Sequence, residues 1–531
     1  MSGRLAATGA MCAAVATLVV GVVFGTHVAG GSDSSCYLNA ARLLSRGDVA
    51  LNQPLVRDAP WDRAADTFTP AGFVPSPVDP TRIVPICSPG LPLAMALFRA
   101  LHLNEFLVVP LLGALSVWLT FRIGVMIADV ATGVFASLLL LCSPTFLYQL
   151  VQPMSDVPAT AWWLLAIVFA LEAEARRPHR PVRAGAAAGL AVLTRPNLFP
   201  LALVIAVYLA AVSLPERRRP RLLAFTAGLV PGLVTLAALQ HAMYGSALAT
   251  GYGDTGSLMA LDHVAINIQR YTSWLLGTHT PVLLLAVASP VILRQRRHAW
   301  LCLAFVATAV ACYLPYLTFD AWWYTRFLLP AIPLLIVLTV AAIVAIVARV
   351  APRRPPGFRI AIASACLVTL MAVWTWTARD RHAFDLSSWE QHYYRAGTAV
   401  ARHVTGPAAV VTVRNSGSVQ YHAGASTLSW DTIAPATFDG ALGFVRAHGL
   451  EAYLLFEGDE EPVFRARFRG NSELANLDWP PKIQVGRTIR LYDPRDRQRF
   501  LADGNVRTEY LPESPAPLRD WRRWLRADGA E

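Results

Sequence analysis

Five charged residues carry the chemistry that this sequence could perform: Asp33, Asp156, Arg195, Arg270 and Arg326. Each lies at or beside the end of an apolar run, where an ionisable group is costly to hold and by default marks function. Asp33 stands in Gly31-Ser32-Asp33-Ser34-Ser35-Cys36-Tyr37, directly after the first apolar run. Asp156 opens another run, in Ser155-Asp156-Val157-Pro158. Carboxylates so placed can take a proton from a hydroxyl. They can equally be helix-start acids, Asp33 as the N-cap of an interfacial helix patterned by Tyr37, Ala40, Ala41 and Leu44. The arginines can hold a phosphate bidentately. Their plainer roles are structural. Arg195 could satisfy carbonyls freed by Pro196, and Arg326, behind Trp322-Trp323-Tyr324-Thr325, could anchor an aromatic belt.

The elements that must position these groups are membrane spans. Of 531 residues, 55% are hydrophobic and only 15% charged, and about 20 apolar residues cross a bilayer. Apolar runs recur from Ala6 to Ala378 and then stop. The expected fold is a polytopic α-helical membrane protein with about 11 spans and a C-terminal extracytoplasmic α/β domain. The spans fall near 7–29, 106–121, 131–150, 157–174, 184–194, 197–214, 222–243, 279–293, 299–318, 327–348 and 360–378. The membrane part is 1–379, with a long first outer loop at 30–105; the second domain is 380–531, with a charged tail beyond Pro494. Met1 to Ala29 reads as an uncleaved signal anchor, its apolar stretch being longer than a usual leader core.

Charge sets the orientation. The net charge is +11, yet from Asp380 onward 19 Lys and Arg face 20 Asp and Glu, which leaves +12 on the membrane part. Much of it sits in four connectors: Arg176, Arg177, Arg180 and Arg183; Arg217, Arg218, Arg219 and Arg221; Arg294, Arg296 and Arg297; and Arg349, Arg353, Arg354 and Arg359. All should face the cytoplasm. Residues 184–214 lie between two of them, so the stretch must cross twice, breaking at Thr194-Arg195-Pro196-Asn197 on the outer face. The N-terminus is then inside and the C-terminus outside. All five candidate charges come to one face.

Several functions are excluded. The basic balance is a topology signal and not a nucleic-acid footprint. Lys482 is the only lysine and lies in Pro-Pro-Lys-Ile, so there is no Walker-A loop. No Cys/His spacing resembles a zinc site, and His241, His263 and His279, flanking an outer loop at 244–278, form no metal motif. Of seven cysteines, Cys36 and Cys87 fall in the first outer loop, where a disulfide is permitted; the plainer expectation is two separate thiols. In the tail, helices are expected at 388–405 and 439–448, and strands at 408–413, 451–456 and 488–492.

In this order the motifs resemble the GT-C class of membrane glycosyltransferases. An acid follows the first span, Asp33 with Tyr37 four residues on. Ser88-Pro89-Gly90-Leu91-Pro92, by itself a plain loop-to-helix turn, closes the first outer loop, and Asp156 opens a span. Gly189-Leu190-Ala191-Val192-Leu193-Thr194-Arg195-Pro196 is similar to the class's short broken helix with a basic residue, and Arg326-Phe327-Leu328-Leu329-Pro330 to a late motif of bacterial members. Ser34 stands where many protein O-mannosyltransferases have Glu, so the bacterial lipopolysaccharide-type members are the nearer likeness. With 45 arginines against one lysine, the composition points to a GC-rich bacterial genome and the inner membrane.

The resemblance implies inverting transfer of a sugar from a polyprenyl-phosphate donor to a glycan, lipid or protein acceptor. Asp33 would be the base, Asp156 its helper, Arg195 and Arg326 the phosphate ligands, with Arg270 a weaker one. A divalent metal can assist such a step, but nothing in the sequence demands it. The alternatives are a transporter or flippase of a lipid-linked glycan, against which the absence of an internal repeat counts, and a non-catalytic envelope assembly protein.

Overall fold

The computed structural model describes residues 3–173, 179–253 and 255–512. Arg176 and Arg177 of the first connector, and residues 513–531 of the charged tail, lie outside the described residues. Two parts are seen: a helical body and a sheet-bearing C-terminal part.

Five helices of the body are long and apolar enough to cross a membrane: Gly3–Val23, Glu105–Ile127, Pro215–Tyr244, Ile332–Val350 and Gly357–Asp380. A sixth crossing is available if Val130–Leu141 and Pro144–Leu150, bent by 59° at their junction, form one broken span. The bend falls at Cys142-Ser143-Pro144, where proline disfavours helix in the residue before it. Shorter helices fill four of the remaining expected positions, at Asp156–Glu172, Arg180–Thr194, Pro200–Ala211 and Arg296–Tyr313.

The run at 279–293 is not one helix. It is a 3-10 turn, Pro281–Ala286, followed by Ser289–Ile292, because Pro281 and Pro290 each interrupt the backbone ladder and Thr280 takes a left-handed φ of 65°. The stretch read as an outer loop, 244–278, instead contains the helix His263–His279.

Glycine brings two body helices together. The ridge Gly185-x-x-x-Gly189 on Arg180–Thr194 meets Gly228-x-x-x-Gly232 on Pro215–Tyr244. A Cβ at Gly228 would come within 2.0 Å of the Val182 carbonyl oxygen, and one at Gly185 within 1.9 Å of the Phe225 oxygen. Small residues permit this backbone approach, and dispersion then holds it where lipid offers no hydrophobic drive.

The first outer loop is not a free excursion. The helix Gly31–Ser45 runs first, and β1 (Leu51–Asn52), β2 (Phe73–Pro75) and β3 (Arg82–Pro85) then form a small antiparallel sheet in the order β1-β3-β2. A disulfide joins Cys36 to Cys87, against the expectation of separate thiols. It ties the helix to the turn Ser88-Pro89, after which Gly90–Ala100 begins. Gly90 sits so close to the backbone of Thr194 that a Cβ would fall 2.5 Å from its Cα. The Ser-Pro-Gly-Leu-Pro element is therefore packed directly against the helix break at 194–197.

The C-terminal part is an α/β domain. Its strands β4 (Ala408–Val411), β5 (Ser426–Leu428), β6 (Glu451–Glu457), β7 (Ile483–Val485), β8 (Ile489–Tyr492) and β9 (Glu509–Leu511) form one sheet ordered β5-β4-β6-β8-β7-β9. The first three are parallel, and β8 is antiparallel to both β6 and β7. The expected helices are seen at Gln391–His403 and Phe438–Ala447; Pro494–Asp503 and β9 add order beyond Pro494. One face of the sheet packs Phe438, Phe456, Phe464 and Phe468 with Phe68 of the outer loop. The outer loop thus contributes to the core of the C-terminal domain.

In open α/β sheets the carboxyl ends of parallel strands form the usual ligand crevice. Here the outer loop covers that end. Beyond β4, Ser416 Oγ accepts from the Ala71 amide at 2.9 Å, and the Gly417 carbonyl accepts from Asn39 Nδ2 at 3.0 Å. Arg42 donates to the Tyr421 carbonyl, and the Tyr421 hydroxyl donates to Glu105, itself bridged to Arg99. Glu390 is pressed against Gly30, and burial pushes its carboxyl up to about 7. The domain clamps the helix that carries Asp33.

Replacing Gly228 by alanine should lower the unfolding free energy by about 1–3 kcal/mol through overpacking. Gly440→Ala, with open space at its Cβ, should cost nothing measurable. Thermal unfolding of both variants in detergent checks this contrast.

Candidate active site

A cavity of about 360 Å³ opens between the outer loop and the helix ends. Asp33, Arg195 and Arg326 all line it, with Tyr37, Tyr252, Tyr313, Tyr316 and Phe327 among the walls.

Asp33 is the third residue of Gly31–Ser45, whose N-cap is Gly30, so the acid lies in the first turn and is not the cap. The carboxylate instead pairs with Arg326, Oδ2 to Nη2 at 3.0 Å. Asp33 keeps 37% of its side-chain exposure, while Arg326 keeps 14%. The arginine is the anchored partner and the acid the accessible one. Arg326 lies in the 3-10 segment Trp322–Leu328, and its guanidinium packs over the rings of Tyr324 and Phe327 at 5.4 and 5.2 Å. A partly desolvated guanidinium over a ring face gains cation–π attraction that it would not have in water.

Asp156 has a different position. It is fully buried at the first turn of Asp156–Glu172 and does not line the cavity. Its Oδ1 meets Arg195 Nη2 at 2.8 Å. Arg195 also donates from Nε to Ser155 Oγ at 3.1 Å and from Nη1 to the Tyr313 hydroxyl at 2.9 Å. Ser155 accepts a second bond from the Tyr37 hydroxyl at 2.8 Å. The guanidinium thus binds side chains and not the carbonyls around Pro196. It leaves the helix break directly, since Arg195 is the residue (φ −142°, ψ 88°) at which Arg180–Thr194 ends.

Phe327 lies between the two cations, 5.6 Å from the Arg195 guanidinium and stacked on Tyr313 at 4.9 Å. Two positive groups with fixed partners thus face one aromatic-walled cavity, a setting that suits a phosphate on an apolar chain. Arg270 stands apart: it does not line the cavity, and it donates to the Phe319 carbonyl. Among the described residues, no group of three or more His, Cys, Asp and Glu side chains is placed to hold a metal ion.

Sequence reasoning missed Ser155, Tyr313 and Tyr316. Their hydroxyls sit in or beside apolar runs and give no local signal. Only the pairing of Arg195 in space identifies Ser155 and Tyr313, and only the cavity wall identifies Tyr316.

With this geometry in view, the likenesses to known proteins can be read. The family described as dolichyl-phosphate-mannose-protein mannosyltransferase matches residues 88–244, less than a third of the chain. The match includes Asp156 and Arg195 and omits Asp33 and Arg326. No match is found among curated proteins. Among solved structures, ArnT from Cupriavidus metallidurans bound to undecaprenyl phosphate is similar over 86% of this chain and 94% of its own, at 12% identity and a TM-score of 0.52. The apo form of the same protein gives 12% identity and a TM-score of 0.55, over 90% and 96%. The archaeal oligosaccharyltransferase AglB from Archaeoglobus fulgidus, in complex with an inhibitory peptide and a dolichol-phosphate, is similar over 89% of this chain and 72% of its own, at 12% identity and a TM-score of 0.52. The fold is that of the GT-C membrane glycosyltransferases.

Removing one partner of the buried pair should be costly. Asp156→Ala leaves Arg195 uncompensated and should lower stability by about 3–5 kcal/mol. The double variant Asp156→Ala, Arg195→Met should recover part of that loss. Denaturant unfolding of the two variants measures the difference.

Proposed function

We propose that this protein transfers a hexosyl or pentosyl group from a polyprenyl-phosphate donor to a glycan, lipid or protein acceptor, with inversion, at the outer face of a bacterial inner membrane. The N-terminus then lies in the cytoplasm and the C-terminal domain outside. One observation carries the reading: a partly exposed carboxylate, Asp33, and two anchored guanidinium groups, Arg195 and Arg326, face the same cavity.

In the proposed step the acceptor oxygen attacks the anomeric carbon. The new oxygen–carbon bond forms as the bond from that carbon to the phosphate oxygen breaks. The acceptor proton passes to Asp33, and the lipid phosphate leaves with its charge on Arg326 and Arg195. A single displacement inverts the centre. A phosphate drawn to Arg326 competes with Asp33 for the guanidinium, so donor binding frees the carboxylate to accept a proton. Asp156 acts from behind the cavity wall as a positioning residue that holds Arg195. The polyprenyl chain would lie between helices, beside the apolar walls of the cavity. Two of the solved structures named above, one of ArnT and one of AglB, carry undecaprenyl phosphate and dolichol-phosphate in folds of this kind, which supports the same class of donor here.

The rival reading, a transporter or flippase, needs charges near the midplane of its spans. It gains no support from acids and arginines gathered at helix ends.

Asp33→Asn keeps the size of the side chain and removes the base. Transfer should fall at least about 100-fold, while the protein inserts and unfolds as the parent does. Transfer assayed with extracted membranes as the source of donor and acceptor tests this. Turnover within a few-fold of the parent would remove Asp33 from the mechanism.

A further inference from the structure

The 3-10 segment Trp322–Leu328 has a second cavity beside it. Tyr324, Arg326 and Phe327 line the first. Trp322 and Trp323, at the start of the same segment, line another of about 290 Å³ with Tyr148, Asp380, Arg381, His382 and Trp389. In a 3-10 helix residues three apart share an edge, with a rise of about 2 Å per residue. Trp323 and Arg326 therefore stand one turn, about 6 Å, apart along one edge, one at each cavity. The second cavity joins both parts of the protein, since Arg381, His382 and Trp389 lie between the last span and the C-terminal domain.

Its walls have an unusual composition. Tyr148 stacks parallel to Trp323 at 6.0 Å and meets Trp322 edge-on at 5.0 Å. The rings of Trp389 and His382 meet at a tilt of 46° with centroids 5.0 Å apart, and the Arg381 guanidinium lies 5.8 Å from the Trp322 ring. Trp323 and Trp389 keep 40% and 53% of their surface exposed. An aromatic belt would explain Trp322 and Trp323, but not the acid, arginine and histidine converging on the same space.

His382 adds a separate observation. The last span ends in a Schellman motif: the Ala383 amide bonds the Ala378 carbonyl at 3.0 Å, and the His382 amide bonds that of Arg379 at 3.0 Å. The first residue of that pair, at position 382, is left-handed, φ 59°, a place that glycine fills most cheaply. Histidine stands there instead, its ring bonded to Asp385 at 2.8 Å and turned to Trp389. The strain has been accepted where a side chain is placed at a cavity wall.

We infer that this second cavity binds a saccharide of the acceptor. The inference rests on the transfer reading and deepens it. Flat aromatic faces are electron-rich and attract the polarised C–H face of a sugar ring. Asp380, Arg381 and His382 supply acceptors and donors for its hydroxyls. The volume lies at the small end of ligand pockets, which suits one or two sugar units. A sugar seated on Trp323 would direct the next hydroxyl of the acceptor along the 3-10 edge toward Arg326 and Asp33.

Saturation-transfer NMR on the protein in nanodiscs, with methyl glycosides of common hexoses and pentoses as probes, tests the inference. The expected result is saturation of ring C–H protons in the parent and equally in Asp33→Asn. It should fall at least tenfold in Trp323→Ala, Trp389→Ala and in Arg381→Ala, with thermal unfolding confirming that each variant folds. In transfer assays with extracted acceptor, Arg381→Ala should raise KM about tenfold and keep most of kcat. No saturation of any glycoside, or saturation unchanged in these variants, would overturn the inference. So would variants that lose only membrane retention, as an aromatic belt predicts. Failure of the transfer reading would look different: glycosides would bind normally while the parent transferred no sugar.

Discussion

The contact between Asp156 and Arg195 is the constraint on which the rest of the site depends. A carboxylate with no solvent exposure is tolerated only when a cation lies against it. To reach Asp156, Arg195 must leave its helix at the right depth, and Pro196 ends the helix at that residue. The break must also be held in place. Gly90 allows the turn after Cys87 to lie against Thr194, and the paired glycines on Arg180–Thr194 and Pro215–Tyr244 hold the broken helix from the other side. A Cβ at any of these positions would push against backbone, which cannot yield as a side chain can.

The accessible acid is positioned by separate means. Asp33 lies on a short helix outside the spans, and such a helix would be mobile by itself. The disulfide to Cys87 fixes one side, and the C-terminal domain covers another through Asn39, Arg42 and the Gly417 backbone. The sheet end that usually binds a ligand is given over to this contact. Arg326 then meets Asp33 from a segment stiffened by stacked rings, Tyr324 on Phe319 at 3.9 Å and Phe327 on Tyr313. The arrangement leaves the carboxylate more exposed than its partner, which suits the role of base proposed for it.

Much of this was legible in the sequence. The acid after the first apolar run, the break at 194–197 and the late arginine were each marked by residue type against hydropathy, and three of the five candidate charges line one cavity. Asp156 was found as an acid, but its depth was not, because hydropathy does not tell a helix-start acid that faces water from one that meets an arginine behind it. Arg270 was drawn in by its position near the outer face; its guanidinium satisfies a loop carbonyl instead. The failures elsewhere have the same origin. Apolar content at 279–293 resembled a span although two prolines divide it, and the helix His263–His279 was too polar to be noticed. The pairing of Cys36 with Cys87 depends on how the outer loop folds back, which no local pattern records. The further domain contacts, such as Phe68 in the core of the C-terminal sheet, are of that kind too.

The central claim is that the outer cavity takes a sugar from a lipid phosphate, and the most direct test offers the protein a choice of donor. Purified protein in liposomes containing extracted acceptor would be given either polyprenyl-phosphate sugars or the matching nucleotide sugars, and the anomeric configuration of the product read by NMR. The account predicts transfer from the lipid-linked donor alone, with inversion, and its loss in Arg326→Ala. Transfer from a nucleotide sugar in the absence of any lipid carrier would contradict it.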